Sequence, residues 1–436
     1  MNKRQRIAIA LFLLFALILS GQEKDQPSML NDYFKEMATA ARKSRRLWNK
    51  DLYGPIMLVD PETRQIYANM PDSLGELKPH KGIYTGTLPP TQQIANTHIR
   101  WNGTDWAIVM LPLPENKYDR ISLLAHERFH ALQPELGFTP QGGRNDDDCI
   151  HLDSKDARIS LRLELEALKQ ALSAQVKTEI TRHLTAAFIF RQYRHTLFPE
   201  AKQKENSLEL NEGLAEYTGE ASCGRPEREK AEHFTAYIDQ FMQNPTFVRS
   251  FAYQTIPVYG YLLDKSRKGW NKSINLQTNL TDFFMEAFGI RPPAGLEAEA
   301  VLSQWAGSYN GAAIMSEERK REEDHQKQIA DYKRRFIEDP HFEITFEQMK
   351  IRFDPRNIMA LENKGTVYPT IDVIDNWGAL HVSKGALMSP DWKKITITTP
   401  HNMEGKQLSG DGWTLELTEG YSVIIIDRNF RIKKTE

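Results

Sequence analysis

The sequence predicts an α+β protein: a few strands first, then a long and mostly helical middle, then a small domain of strands at the C-terminal end. Three observations lead there. Apolar residues recur at helical spacing from Leu123 to Leu132 and again from Leu161 to Leu172. Short β-rich runs, such as Ile56 to Val59 and Trp106 to Met110, precede the first of these. From His341 onward the runs Phe342 to Phe346, Ile371 to Ile374 and Ile395 to Thr398 alternate with turn residues.

Taken in order, the chain opens with Lys3, Arg4 and Arg6, an unbroken apolar run from Ile7 to Leu19, and the small pair Ser20-Gly21. That is the pattern of a secretory leader over 1–21. The apolar run falls short of the roughly 20 residues that a spanning helix needs, so we expect export to a periplasmic or extracellular setting and no membrane span in the mature chain. With 56 basic and 58 acidic residues, the formal net charge is −2. A balance so even offers no bulk field to nucleic acid or to an anionic membrane. Cys149 and Cys223 are the two cysteines, and an oxidising compartment would permit a bridge between them without requiring it.

Ser28 to Asn49 carries one apolar stripe, Leu30, Tyr33, Phe34, Met37, Ala41 and Leu47, and reads as a helix. Ile56 to Val59 and Gln65 to Ala68 read as two strands about a turn at Asp60 to Thr63. Thr97 to Trp101 and Trp106 to Met110 flank Asn102-Gly103-Thr104-Asp105, a hairpin signal. An exposed strand just ahead of a functional helix suits the capture of an extended peptide, and it equally suits an ordinary sheet edge.

The stretch that organises the rest is Leu123 to Leu132, which contains His126-Glu127-Arg128-Phe129-His130. Residues four apart share a helix face, so His126 and His130 present two imidazoles together, and Glu127 falls just beside them. The remaining circumference is apolar apart from Arg128, which implies a buried helix. Buried imidazoles and a buried carboxylate need partners, and a divalent cation with its water supplies them together. Asn116 or Asp119 can cap this helix and Pro134 should end it. The polar stretch Thr139 to Asp148 lacks the alternating ligand spacing of a calcium loop and reads as a solvated turn.

Helices are expected over Arg158 to Ala174 and Thr178 to Tyr193, and a further one carries Leu208 to Gly219. On that helix Glu212 and Glu216 lie one turn apart on one face, with Leu210, Leu214 and Tyr217 behind. Beyond it, 316–340 is a charged helical connector. Domain boundaries are expected at 22–315 for the first domain and 341–436 for the β domain. Trp413 to Leu417 and Tyr421 to Ile426 are expected to pair as a hairpin through Thr418-Glu419-Gly420.

The two motifs together resemble the gluzincin class of zinc metallopeptidases, in which His-Glu-x-x-His gives two ligands and a glutamate on a later helix gives the third. Asn211-Glu212-Gly213-Leu214-Ala215-Glu216 is similar to the later motif of that class. The wider resemblance is to exported bacterial proteins. The resemblance implies a zincin-like catalytic domain with Zn²⁺ held by His126, His130 and Glu212, while Glu216 fixes a histidine tautomer. It implies a peptide or protein substrate, a metal-activated water, and Glu127 as general base. It also implies a Tyr or His beyond the third ligand as oxyanion donor, and here Tyr259 comes first and Tyr253 second.

Departures are visible. The gap between His130 and Glu212 is longer than is common in the class, which leaves Glu164 or Glu166 open as the third ligand. The Gly-x-Met-Glu-Asn segment that reads a free α-amine in aminopeptidases is not found, and Gln133 and Leu136 stand where a metzincin would have its glycine and third histidine. The reading from another class is a binding or scaffold protein that keeps a zincin-like fold without turnover, and an intact Glu127 argues for the enzyme.

Overall fold

The computed structural model describes residues 25–89, 92, 94–138, 149–292, 304–353 and 358–435. The expected leader at 1–21 and the polar stretch 139–148 lie outside these residues. Helices and sheets are both present, as an α+β chain requires, and no described helix is long and apolar enough to cross a membrane. The chain forms two compact units built from interleaved segments: 1–149, 164–242 and 249–301 in the first, and 150–163, 243–248 and 302–436 in the second. The expected single boundary near 315 is therefore replaced by an exchange of segments, and 316–340 lies inside the second unit.

In the first unit, α1 (Gln26–Ser44) leads into six strands, β1 (Ile56–Val59), β2 (Gln65–Ala68), β3 (Lys78–His80), β4 (Ile83–Thr87), β5 (Thr97–Trp101) and β6 (Thr104–Met110). They form one sheet in the order β3-β4-β2-β1-β6-β5. β1 and β6 are parallel, and the β5–β6 hairpin turns at Asn102 and Gly103, both at positive φ (48° and 74°) as a two-residue loop of this hand demands. All four residues of β1 are buried because both faces of the sheet are covered. Ile56 and Leu58 pack with Phe34 and Met37 of α1 and with Ile121 and Leu124 of the motif helix. Met57 and Val59 pack with Trp106 and Ile108 on the other face.

The motif helix, α2 (Lys117–Leu132), begins where expected: the Asn116 side chain accepts hydrogen bonds from the backbone N–H of Tyr118 and Asp119. Pro134 opens a short 3-10 turn just after its end. Arg128, which the sequence pattern left without a role, donates to the carbonyls of Leu52 (3.4 Å) and Pro55 (3.3 Å). Gly54 makes room for it, since a Cβ there would stand 2.2 Å from the guanidinium. After α2 come α3 (Lys155–Ser173), α4 (Lys177–Leu197) and α5 (Ala201–Leu208). A π-turn (Glu209–Gly213) leads to α6 (Leu214–Ser222), followed by α7 (Glu227–Phe241), α8 (Ala252–Asp264) and α9 (Leu280–Phe288).

A buried ion-pair cluster ties α3, α4 and the π-turn. Arg191 donates to Glu164 at 2.8 Å and to both oxygens of Glu209 at 2.7 and 3.0 Å. Arg194 holds Glu205 through two bonds of 2.7 Å. Both guanidiniums are fully buried. Charges so deep persist because each has a fixed, hydrogen-bonded counter-charge.

The second unit holds α10 (Gly311–Lys333) and two antiparallel-rich sheets. One contains β7 (His341–Thr345), β9 (Met359–Ala360), β10 (Thr366–Tyr368), β13 (Ala386–Met388), β14 (Lys394–Thr398), β18 (Tyr421–Ile426) and β19 (Asn429–Lys434), in the order β18-β19-β7-β14-β13-β10-β9. The other contains β8 (Lys350–Phe353), β11 (Ile371–Asp375), β12 (Gly378–Val382), β15 (Pro400–Glu404), β16 (Gln407–Gly410) and β17 (Trp413–Leu417), in the order β15-β16-β17-β12-β11-β8. Phe342, Ile344, Trp377, Leu380, Ile395 and Leu415 share the core between them. The expected hairpin of 413–417 with 421–426 does not form. β17 pairs with β12 and β16, whereas β18 pairs with β19, so 418–420 carries the chain from one sheet to the other. Adjacent strands in sequence are the usual partners, but here each buries its apolar face by joining a different sheet.

Replacing Arg191 by Met strands the Glu209 carboxylate in the core and leaves Glu164 with Arg194 as its one cation. The expected loss is about 3–5 kcal/mol, a fall of roughly 10 °C in the unfolding midpoint of this unit by calorimetry or circular dichroism.

Candidate metal centre

Helices α2 and α6 pack antiparallel, so each step of four residues down one meets a step of four up the other. His130 lies 3.3 Å from Glu212, His126 2.8 Å from Glu216, and Ser122 donates to Glu220 at 3.0 Å. The close approach depends on Gly219, where a Cβ would stand 2.6 Å from the Ser122 carbonyl oxygen.

The π-turn decides which acids take part. Its hydrogen bond runs from the Leu214 N–H to the Glu209 carbonyl, five residues back, so each residue turns less about the axis than in an α-helix. Glu209 and Glu212 would otherwise share a face. Here Glu205 and Glu209 look toward the arginines, and Glu212, Glu216 and Glu220 look toward α2.

At the centre His126 Nε2 and His130 Nε2 are 3.1 Å apart, and Glu212 Oε2 lies 3.5 and 3.3 Å from them. A tetrahedral centre with bonds of about 2.0–2.1 Å spaces its ligand atoms roughly 3.3 Å apart, which matches all three separations. The trio is the one group of three or more His, Cys, Asp and Glu side chains at metal-binding spacing among the described residues. The other ring nitrogens are committed elsewhere: His126 Nδ1 faces Glu216 at 2.8 Å, and His130 Nδ1 faces the Gln133 side-chain oxygen at 2.9 Å. Both Nε2 atoms therefore carry their lone pairs inward when the rings are neutral.

The electrostatics ask for a positive charge. Burial opposes protonation of His126, but its bonds to Glu212 and Glu216 outweigh that and push its pKa up to about 10. Burial works against ionised Glu212 as well, and the two imidazoles overcome it, holding its carboxyl far below the usual range. Glu127 is buried beside them and its carboxyl is pushed up, chiefly by desolvation. One of its oxygens, Oε2, is buried and accepts no hydrogen bond. An orphaned carboxylate oxygen next to two imidazoles and an acid at tetrahedral spacing fits a site for a cation and a protic ligand.

The structure separates the two tyrosines. Tyr253 stacks on the His126 ring at 5.4 Å and donates to Glu212 Oε2 at 2.6 Å. Tyr259, expected first as oxyanion donor, is fully buried and donates instead to Glu164 at 2.9 Å. It belongs to the ion-pair cluster and has no place at the centre. Glu164 is held by Arg191 and Glu166 by Lys169, which removes both as alternative third ligands. Cys149 and Cys223 are both buried.

Two participants escaped the sequence pattern. Gln133 bridges the halves of the site, taking the His130 ring on its oxygen and donating its amide to the Asn211 carbonyl at 2.9 Å. Nothing but its place one turn after His130 could have signalled it. On α7, His233 stands 3.2 Å from Glu220 and stacks on Tyr237. The spacing of four on a helix was visible, but its direction was not.

No family model, no curated protein and no solved structure matches the chain. The reading of the centre rests on its own geometry.

Gln133→Met keeps the volume but removes both bonds. Metal affinity, read by competition with a chromophoric chelator, should fall about 10- to 100-fold. Gly219→Ala forces α2 and α6 apart along the whole ladder, and it should weaken metal binding and lower the unfolding midpoint together, whereas Gly307→Ala, where a Cβ meets nothing within 4 Å, should leave metal binding unchanged.

Proposed function

We propose that the chain is an exported zinc-dependent metallopeptidase of the gluzincin type, with a zincin-like catalytic domain. One observation carries the reading: three ligand atoms at tetrahedral spacing with the buried, partly unsatisfied carboxylate of Glu127 beside them. Two imidazoles and one carboxylate are the donor set of catalytic zinc sites, which leave a fourth position for water or substrate, whereas structural zinc sites are closed by four protein ligands. The leader-like start of the chain supports export.

His126, His130 and Glu212 would hold the cation, Glu216 and Gln133 aiming the two rings. When bound, the cation supplies Lewis acidity to a carbonyl oxygen and to water. Glu127 takes the proton that the attacking water gives up and returns it to the leaving nitrogen, so the proton balance closes on one carboxylate. Tyr253, which stacks on the His126 ring and donates to Glu212, takes the oxyanion role, because the Tyr259 hydroxyl is engaged by Glu164. A donor aimed at that charge is worth about 3 kcal/mol. Strand β5 packs on α2 and has no partner on its outer edge among the described residues. An extended peptide laid along β5 by main-chain hydrogen bonds would bring its carbonyl groups to the motif helix.

Glu127→Gln should retain one zinc per chain while peptide hydrolysis falls about 10²- to 10⁴-fold. The measurement is cleavage of a mixed peptide library by mass spectrometry, beside metal content of the same samples. Chelation should abolish cleavage and added zinc restore it. Equal cleavage by both proteins overturns the role of Glu127. Zinc-loaded wild type that cleaves nothing overturns the peptidase and leaves a metal-binding scaffold.

A further inference from the structure

The six-stranded sheet β15-β16-β17-β12-β11-β8 turns one face to the core of the second unit. Burial alternates along its strands, and Ile371, Val373, Leu380, Val382, Trp413 and Leu415 point inward. The residues between them point outward, and the register sets them in two unbroken rows that cross the strands. The first row is Arg352, Asp372, His381, Thr414, Ser409 and Asn402. The second is Lys350, Ile374, Ala379, Glu416 and Gln407. Both rows line one groove of about 930 Å³.

The chemistry of the rows narrows what they can hold. The backbone of an inner strand is committed to its two neighbours, so a ligand on this face meets side chains alone. Lys350 and Arg352 balance Asp372 and Glu416, and Arg352 is already bound to Asp372 at 2.8 Å. A single-stranded nucleic acid needs a surplus of cations and flat rings on which bases stack. The groove has no such surplus, and no Phe, Tyr or Trp lines it. Protein partners are held by central aromatic or aliphatic anchors, and Lys, Glu, Asp and Ser are scarce at such centres. Those four types recur in these rows, and Ile374, 61% exposed, is their one large apolar side chain. An extended peptide, moreover, joins a sheet along its edge rather than across its face.

A fitting ligand is uncharged, gives and takes hydrogen bonds along its length, and has a small apolar side. Gln407 and Asn402 each present a donor and an acceptor, Thr414 and Ser409 do both through a hydroxyl, and Glu416 accepts. Asp372 is fixed between Arg352 and His381, whose Nδ1 lies 2.5 Å away. With Nδ1 donating, the neutral ring accepts at Nε2. Ile374 and Ala379 are cross-strand neighbours and make one apolar step in the second row. Adjacent strands stand about 4.8 Å apart, close to the length of one pyranose unit in an extended chain. The rows are two residues apart along each strand, about 7 Å, close to the width of its ring. Five strand spacings give about 24 Å, room for about five units.

We propose that this face binds a neutral oligosaccharide of β-1,4-linked pyranoses, laid across the strands with its hydroxyls on the two rows and the C–H face of a ring on Ile374 and Ala379. A β-1,4 linkage keeps successive rings in an extended line, as the rows require. The site lies wholly within the second unit, goes beyond the peptidase reading and does not depend on it.

The test is calorimetric titration of the full-length chain with cellohexaose, xylohexaose, mannohexaose and chitohexaose at millimolar concentrations. At least one should bind, with an affinity that rises from its dimer to about its pentamer and then levels off. Gln407→Ala and Thr414→Ala, both at exposed positions of the outer face, should each weaken binding about 3- to 10-fold with an unchanged unfolding midpoint. Lys433→Ala, on the other sheet, should leave it unchanged. Glu127→Gln should bind as wild type does, so the result stands apart from the fate of the metal centre. Binding of none of the four overturns the proposal, as does a dimer held as tightly as the hexamer or binding that survives the Gln407 and Thr414 substitutions combined. Tighter binding of a mixed peptide library or of oligothymidylate, lost in the same double variant, overturns it in favour of that other ligand.

Discussion

The contact of Gly219 with the backbone of Ser122 brings two antiparallel helices close enough for side chains only two or three bonds long to meet. His130 with Glu212, His126 with Glu216 and Ser122 with Glu220 are successive rungs of that one packing. A methyl group at 219 would lengthen every rung together, because helices move as rods rather than residue by residue. The centre is thus a property of the helix pair before it is a property of any ligand.

Two clusters of buried charge stand a few residues apart in sequence, and they differ in kind. Around Arg191 and Arg194, cations that stay protonated at any ordinary pH face Glu164, Glu205 and Glu209. That cluster has one state and anchors the π-turn. Around His126 and His130, the carboxylates of Glu127, Glu212 and Glu216 face groups whose charge depends on a proton or a bound cation. The same acid-rich segment serves both, since the wider turn at 209–213 rotates its first half toward the arginines and its second half toward the histidines.

Much of the centre was legible because it is local. A spacing of four places two imidazoles on one face in any α-helix, Asn116 caps whatever helix follows it, and Glu212 and Glu216 had to share a side. The choice between Tyr253 and Tyr259 was not local. Six residues apart they point about 120° apart around α8, so only one of them can face the histidines, and periodicity does not say which. Gln133 was read only as a residue that breaks another motif, and its two hydrogen bonds arise because the π-turn segment that carries Asn211 happens to pass its side chain. Strands 413–417 and 421–426 were recognised as strands yet paired wrongly, since pattern shows which face is apolar and not which sheet will cover it.

The sequence by itself determined the element types, the helix carrying the two histidines, the pairing of acids on a later helix and the apolar faces to be buried, because periodicity, caps and turns act over a few residues. Only the tertiary structure decided that a π-turn divides one run of acids between two partners and that Tyr253 looks inward while Tyr259 joins the arginines. It also decided that the two units exchange segments. Those outcomes depend on distances between parts of the chain far apart in sequence, and these are settled by packing the whole.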